Sequence, residues 1–316
     1  MIFSRSVPLA CLVALALLIA AGFALPQWAM FLTTMAFAKG LVALGIVCLM
    51  RAGLVSFGQG LYFCIGAYVS GMMANWTGIT DIFLLSTIGI VAAAIVAAIF
   101  GPLLATYRGI FFAMLSLSLS MILYGFLSKM TALGGTDGLN VMAPTFLGYA
   151  PEGRALGFSL FIFTSTIVVI AGGLIRVFFD SEHGLIALAI RDNELRVEYL
   201  GASVRNEIAI TYGIAAILGS LGGVIAGLAI GHVDPEFSYW TTSGEFVFVA
   251  ILSGYFSIGA VFIASVLLEV VRSFSNLYFP TTWQLSLGIF LIAVILLLPN
   301  GLGSIVTRLK RLRGSS

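Results

Sequence analysis

Apolar residues run along this chain in long blocks, and polar residues are confined to the short gaps between them. The blocks fall at 9–24, 28–50, 57–75, 82–105, 109–129, 156–178, 207–231, 243–257, 258–276 and 283–299. Most lie near or above the roughly 20 residues that an α-helix needs to cross a hydrocarbon core. The pattern predicts an all-α polytopic membrane protein of about ten transmembrane helices, and the ten-residue alternation of a membrane β-barrel is absent. Glycines interrupt 57–75 and 243–257 and the second block is short, so these two are read as broken or re-entrant helices. Because the blocks recur along nearly the whole chain, residues 1–316 are read as a single transmembrane domain.

Composition agrees. Of 316 residues, 60% are apolar and only 9% are charged, against roughly a quarter charged in soluble domains. So few charges cannot cover a water-exposed surface. The formal charge of +2 is too small and too scattered to suggest a nucleic-acid partner. Cys11, Cys48 and Cys64 sit in apolar blocks at no metal-ligand spacing, which reads as three small core residues with neither a metal nor a disulfide role.

The placement of the basic residues sets the expected orientation. The densest basic cluster is the tail at 303–316, with Arg308, Lys310, Arg311 and Arg313, and the positive-inside tendency assigns it to the cytoplasm. Counting back through ten spans puts Arg5, Arg51, Arg108, Arg176, Arg191, Arg196 and Arg205 on the same side. Only Lys129, Arg154 and Arg272 fall outside, with Lys39 inside a span. Both termini are therefore expected in the cytoplasm. Arg5 followed by an apolar run has the look of a secretory signal, but the count needs a retained first helix to keep Arg5 inside.

The hydrophilic stretch from Arg176 to Glu207 holds ten of the 28 charged residues in 32 positions. Within this loop, at about 179–206, residues Leu185 to Leu200 favour a helix. Asp192 and Arg196 stand at i,i+4, and Gly201 is a plausible stop. A short amphipathic helix between two spans results. From the residues alone it is a solvated or headgroup-level surface helix, or a docking element for a cytoplasmic partner.

Four blocks then occur in order: VSFGQGLYFCIGAY at 55–68, FFAMLSLSLS at 111–120, GGTDGL at 134–139 and GLIALAIRDNELRVEYLG at 184–201. With LLLPNGLGS near the end, this set resembles the permease subunits of bacterial ABC importers of the branched-chain amino acid type, most of all their LivM-type members. The resemblance implies a subunit that forms the translocation path for branched-chain or other small amino acids, with urea, short amides or aromatic acids as alternative solutes. It implies a sister permease, two cytoplasmic ATPase subunits and a periplasmic solute-binding protein as partners, in the inner membrane. ATP and Mg would be held by the ATPase subunits, since no GxxxxGK[ST] loop is present here, and this chain would carry no cofactor and no catalysis of its own. Gly184, Leu185, Ala187, Leu188, Ile190, Arg191, Asp192, Asn193, Glu194 and Gly201 would couple to the ATPase, and Thr136 and Asp137 would face the binding protein.

One stretch departs from the family pattern. LSGYFSIGAVFIAS at 252–265 has Ser253, Tyr255 and Phe256 where the family has small or flexible residues, so larger side chains would alter close approach near the substrate path.

Polar residues inside spans are the remaining candidates, because an unpaired polar group in hydrocarbon is costly. Ser56 and Gln59 enter one glycine-interrupted block, and Ser243, Gly244 and Glu245 enter the other. With Lys39, in mid-span, these are candidate path linings, by analogy with other broken-helix transporters. The alternative for the serines and glycines is close helix packing, and for Lys39 burial beside a carboxylate or carbonyl of a partner subunit. Glu269 and Arg272, one turn apart, read as a structural pair near the outer surface. Asp234 and Glu236 read as outer-loop residues. A secondary transporter would need mid-bilayer carboxylates, a channel would need a polar filter, and an intramembrane enzyme would need a shared site that His183 and His232, on opposite sides by the count, cannot form.

Overall fold

A computed structural model describes residues 6–255, 257–297 and 301–303. Arg5, Phe256 and the basic residues of the tail lie outside them. Twelve α-helices occur among the described residues: α1 (Ser6–Ala24), α2 (Gln27–Arg51), α3 (Gln59–Thr77), α4 (Ile82–Leu104), α5 (Gly109–Lys129), α6 (Arg154–Phe179), α7 (Glu182–Asp192), α8 (Glu194–Tyr199), α9 (Val204–Ile230), α10 (Trp240–Ser253), α11 (Ile258–Tyr278) and α12 (Trp283–Leu297). The protein is an all-α polytopic membrane protein. By length and apolarity α2, α4, α5, α6, α9 and α11 qualify as membrane-crossing helices, and shorter apolar stretches run over Cys11–Ala24 and Trp283–Val294.

Two helices, α2 and α9, form the centre and pack along each other, with α3 and α4 also against α9. Small residues make that approach possible. A Cβ at Gly223 would overlap the Phe63 carbonyl, and one at Gly222 the Ala38 carbonyl, so α9 lies almost backbone to backbone with α3 and α2. The outer helices leave apolar side chains such as Leu17, Ile95, Ile122 and Ile292 exposed, as a lipid-facing surface requires.

The two glycine-interrupted blocks, expected as broken or re-entrant helices, are each one continuous helix, α3 of 19 residues and α10 of 14, and both start inside the bundle. After α2 the chain turns back into the bundle at Gly53, and the Phe57 N–H donates to Ser116 Oγ at 3.3 Å, roughly midway along α5. Helix α3 therefore begins inside the bundle. From the opposite end, residues 234–239 also turn inward until Ser120 Oγ donates to the Ser238 carbonyl at 2.7 Å, and α10 starts there. The two helix starts meet where the Gly60 N–H donates to Ser243 Oγ at 3.1 Å. Helix α10 has only 14 residues and ends at Gly254, whose φ of +68° favours glycine.

The helix expected over Leu185–Leu200 is instead two helices. Asn193 adopts an extended conformation, φ −163° and ψ 104°, and its side chain accepts from the Arg196 N–H at 3.0 Å. An asparagine that can cap the following turn competes with helix continuation, which is why α7 stops and α8 starts afresh.

At the far end from α7 and α8, a two-residue ladder pairs β1 (Leu139–Asn140) with β2 (His232–Val233). The GGTDGL segment supplies the turn beneath it. Gly138, at φ +73°, lies so close to Val233 that any side chain would overlap its carbonyl.

Candidate functional site

Three places gather the polar residues: a charge cluster inside the bundle, the meeting point of α3 and α10, and the α7–α8 pair at one end.

The charge cluster joins three helices. Lys39 of α2, only 8% exposed at its side chain, stands 2.8 Å from Glu269 of α11 and 3.4 Å from Glu245 of α10. Arg272 lies 3.7 Å from both carboxylates, with its guanidinium 5.5 Å from the Trp283 ring centre. Two cations and two anions balance. The sequence reading is corrected in two respects. Lys39 finds its carboxylates on its own chain rather than on a partner, and Glu269 and Arg272 are half of a four-residue network rather than an isolated pair. Glu269 is also the twelfth of the 21 residues of α11, so a membrane carboxylate does sit in mid-helix. Pairs at sequence separations of 206 and 230 residues leave no local signal to find them by.

At the meeting point of α3 and α10, Ser56, Gln59 and Ser243 are fully buried. Ser56 Oγ accepts from the Gly58 N–H at 3.2 Å and Ser243 Oγ from the Gly60 N–H. The two serines bind the backbone at the start of α3, and in this conformation all three residues are closed from solvent. Both amide atoms of Gln59 have no hydrogen-bond partner among the described residues, and the nearby Tyr62 and Tyr212 rings meet edge to face with centres 5.6 Å apart. A cavity of about 550 Å³ between α4 and α6 is walled by Phe83, Phe146, Phe158 and Phe163 with only Ser159 and Thr166 as polar residues. That lining does not fit a zwitterion.

The α7–α8 end collects arginines. The Arg51 guanidinium lies 4.1 Å from the Phe179 ring centre and that of Arg191 4.0 Å from the Tyr255 ring centre, while Arg108 Nε donates to both Glu194 oxygens at 2.7 and 2.8 Å. Tyr255, the bulky departure from the expected small residue, is thus a platform for Arg191. His183 meets Glu207 near the start of α9 at 2.8 Å, and His232 follows the end of that helix. A helix length of about 35 Å separates them.

Of the residues expected to couple to a partner, Gly184, Ala187 and Ile190 are buried against the bundle, Leu188 is half-buried, and Leu185, Asp192, Asn193 and Gly201 are exposed. The apolar surface left free is a different set, with Leu185 joined by Leu195, Tyr199 at 88% and Leu200 at 81% exposure. The last three lie in α8 and just after it, beyond the break at Asn193. Thr136 and Asp137 lie exposed in the turn at the opposite end.

A bundle of long apolar helices with charges buried in pairs defines a multi-pass membrane protein. A family model described as "Branched-chain amino acid transport system / permease component" matches residues 28–298, and the chain belongs to that family. It is 27% identical over 270 residues to the high-affinity branched-chain amino acid transport system permease protein LivH of Salmonella typhimurium, covering 79% of this chain and 85% of LivH. LivH of Escherichia coli is 26% identical over the same shares. The corresponding LivM of Escherichia coli is 25% identical over 275 residues, covering 79% of this chain and 64% of LivM. No solved structure matches the chain.

Proposed function

We propose that this chain is the path-forming subunit of an ATP-driven importer for branched-chain or similar small amino acids, with α7–α8 as the element that docks the ATPase. The observation that carries the docking role is the exposure of four large apolar side chains, Leu185, Leu195, Tyr199 and Leu200, at the arginine-rich end. Large apolar side chains grouped in an otherwise charged loop fit a partner groove, with Asp192 and Arg196 at the rim. The relatives' role in branched-chain amino acid transport supports the solute class. ATP and Mg belong to the partner subunits, and this chain contributes no catalysis.

The arginine-rich end faces the cytoplasm in this reading, and the turn at Thr136 and Asp137 faces the solute-binding protein. The membrane is the bacterial inner membrane, with both termini inside. Docking moves α7–α8, and the movement reaches α10 through Arg191 on Tyr255. Such an element biases two packings only where its contacts differ between them.

Purification from native membrane in mild detergent, with mass-spectrometric identification of the companions, tests the assignment. A second permease and two nucleotide-binding subunits are expected. A stable chain recovered alone would move a secondary transporter to the front.

A further inference from the structure

We propose that Arg272, with Glu245 beside it, is the group in this subunit that receives a zwitterionic solute: the guanidinium takes the carboxylate and Glu245 takes the ammonium. The inference rests on the permease reading above.

Arg272 stands six residues before the end of α11, about 9 Å inside it. Its side chain turns onto Glu245 and Glu269, and 35% of it remains exposed. A guanidinium held at that depth is not stable against hydrocarbon, so the exposed face of Arg272 looks onto water or onto another polar surface. Among the described residues it donates no hydrogen bond. Both carboxylates stand 3.7 Å from the same nitrogen, Nη1, which holds the charge in place, and the Nε and Nη2 edge of the fork is the part left for a carboxylate.

Charge balance selects the occupant. Lys39 and Arg272 already match Glu245 and Glu269, so a permanent carboxylate from a neighbouring subunit would leave the site with an excess negative charge. A zwitterion adds none. Glu245 is 15% exposed and borders the same face, within reach of the ammonium. Trp283, on the ring side of Arg272, offers an apolar wall to the solute's side chain.

The test uses the assembled complex in membrane vesicles, with L-leucine as the probe solute. Asn276→Cys lies one turn beyond Arg272 on the same side of α11. In a background where Cys11, Cys48 and Cys64 are alanine, it should react with a water-soluble thiol reagent. Arg272→Gln should lower leucine uptake by at least about tenfold, as expected for loss of a charge-assisted hydrogen bond, while Arg272→Lys retains part of it. No reaction at Asn276→Cys means the face is sealed by protein and overturns the proposal, as does wild-type uptake by Arg272→Gln. If Arg272→Gln is not recovered in the complex, Glu245→Gln takes its place with the same expected fall. A wild-type complex that moves no leucine counts against the permease reading, and the labelling still decides whether Arg272 faces water.

Discussion

Lys39 Nζ donates to Glu269 Oε2 at 2.8 Å across the contact between α2 and α11, although 230 residues separate them in sequence. The bond ties the central helix of the bundle to a peripheral one. Through Glu245, at 3.4 Å from the same ammonium, it also ties in the half-length helix α10. With the Ser243 contact and the Leu302 N–H donating to the Leu252 carbonyl at 2.9 Å, these ion pairs fix the height of α10, which has only 14 residues.

Lys39→Met should therefore be severely destabilising, by roughly 3–5 kcal/mol, because it leaves two buried carboxylates facing one cation. Adding Glu269→Gln restores neutrality and should recover much of the loss. Thermal unfolding of the detergent-solubilised protein measures both. A single variant as stable as the wild type would mean that the Lys39 side of the cluster is not closed from water in the folded protein.

Close packing gives a second expectation. Gly223→Val puts a branched side chain where the Phe63 carbonyl lies, and neither backbone can retreat without separating α9 from α3. Overpacking of this kind costs about 1–3 kcal/mol or more. The folded fraction in size-exclusion chromatography should fall sharply. Gly125→Ala, in α5 with nothing within 4 Å of an added Cβ, should leave it unchanged.

Orientation is checked separately. Asp137→Cys, exposed in the turn near β1 and β2, should react with an impermeant thiol reagent from the periplasm, and Asp192→Cys only after the cytoplasmic face is opened. The reverse order would invert the reading and assign the arginine-rich end to the outside.

What the sequence made legible follows from the range of each interaction. The apolar blocks announced the helices because a membrane span is a local property of about 20 residues. The α7–α8 break was missed because Asn193 was read for its place in a motif and not for its capping side chain. The charge cluster was missed as a unit because its pairing of Lys39, Glu245 and Glu269 needs three helices folded together. The expected path residues Ser56, Gln59 and Ser243 were legible as polar groups in apolar blocks, yet sequence cannot tell a serine that holds two backbones together from one that faces a solute.

Arg191 and Glu194 were expected to be partner contacts, and each is engaged within the chain, Arg191 on Tyr255 and Glu194 on Arg108. Replacing Glu194 by alanine should thus loosen α8 before it affects any partner. The pair is about a third exposed, so the loss of stability should not exceed about 1 kcal/mol. Trypsin should cut faster at Arg196, which lies in the six-residue helix α8. Tyr199→Asp is the contrasting variant. Its ring is almost wholly exposed, so fold, insertion and protease resistance should match the wild type. A carboxylate in the middle of the Leu195, Tyr199 and Leu200 face should nonetheless weaken recovery of the ATPase subunits and reduce uptake, since burying an unpaired charge in an apolar groove is unfavourable. Normal recovery and normal uptake by Tyr199→Asp would remove α8 from the docking surface and leave α7 alone, with Leu185, to carry it.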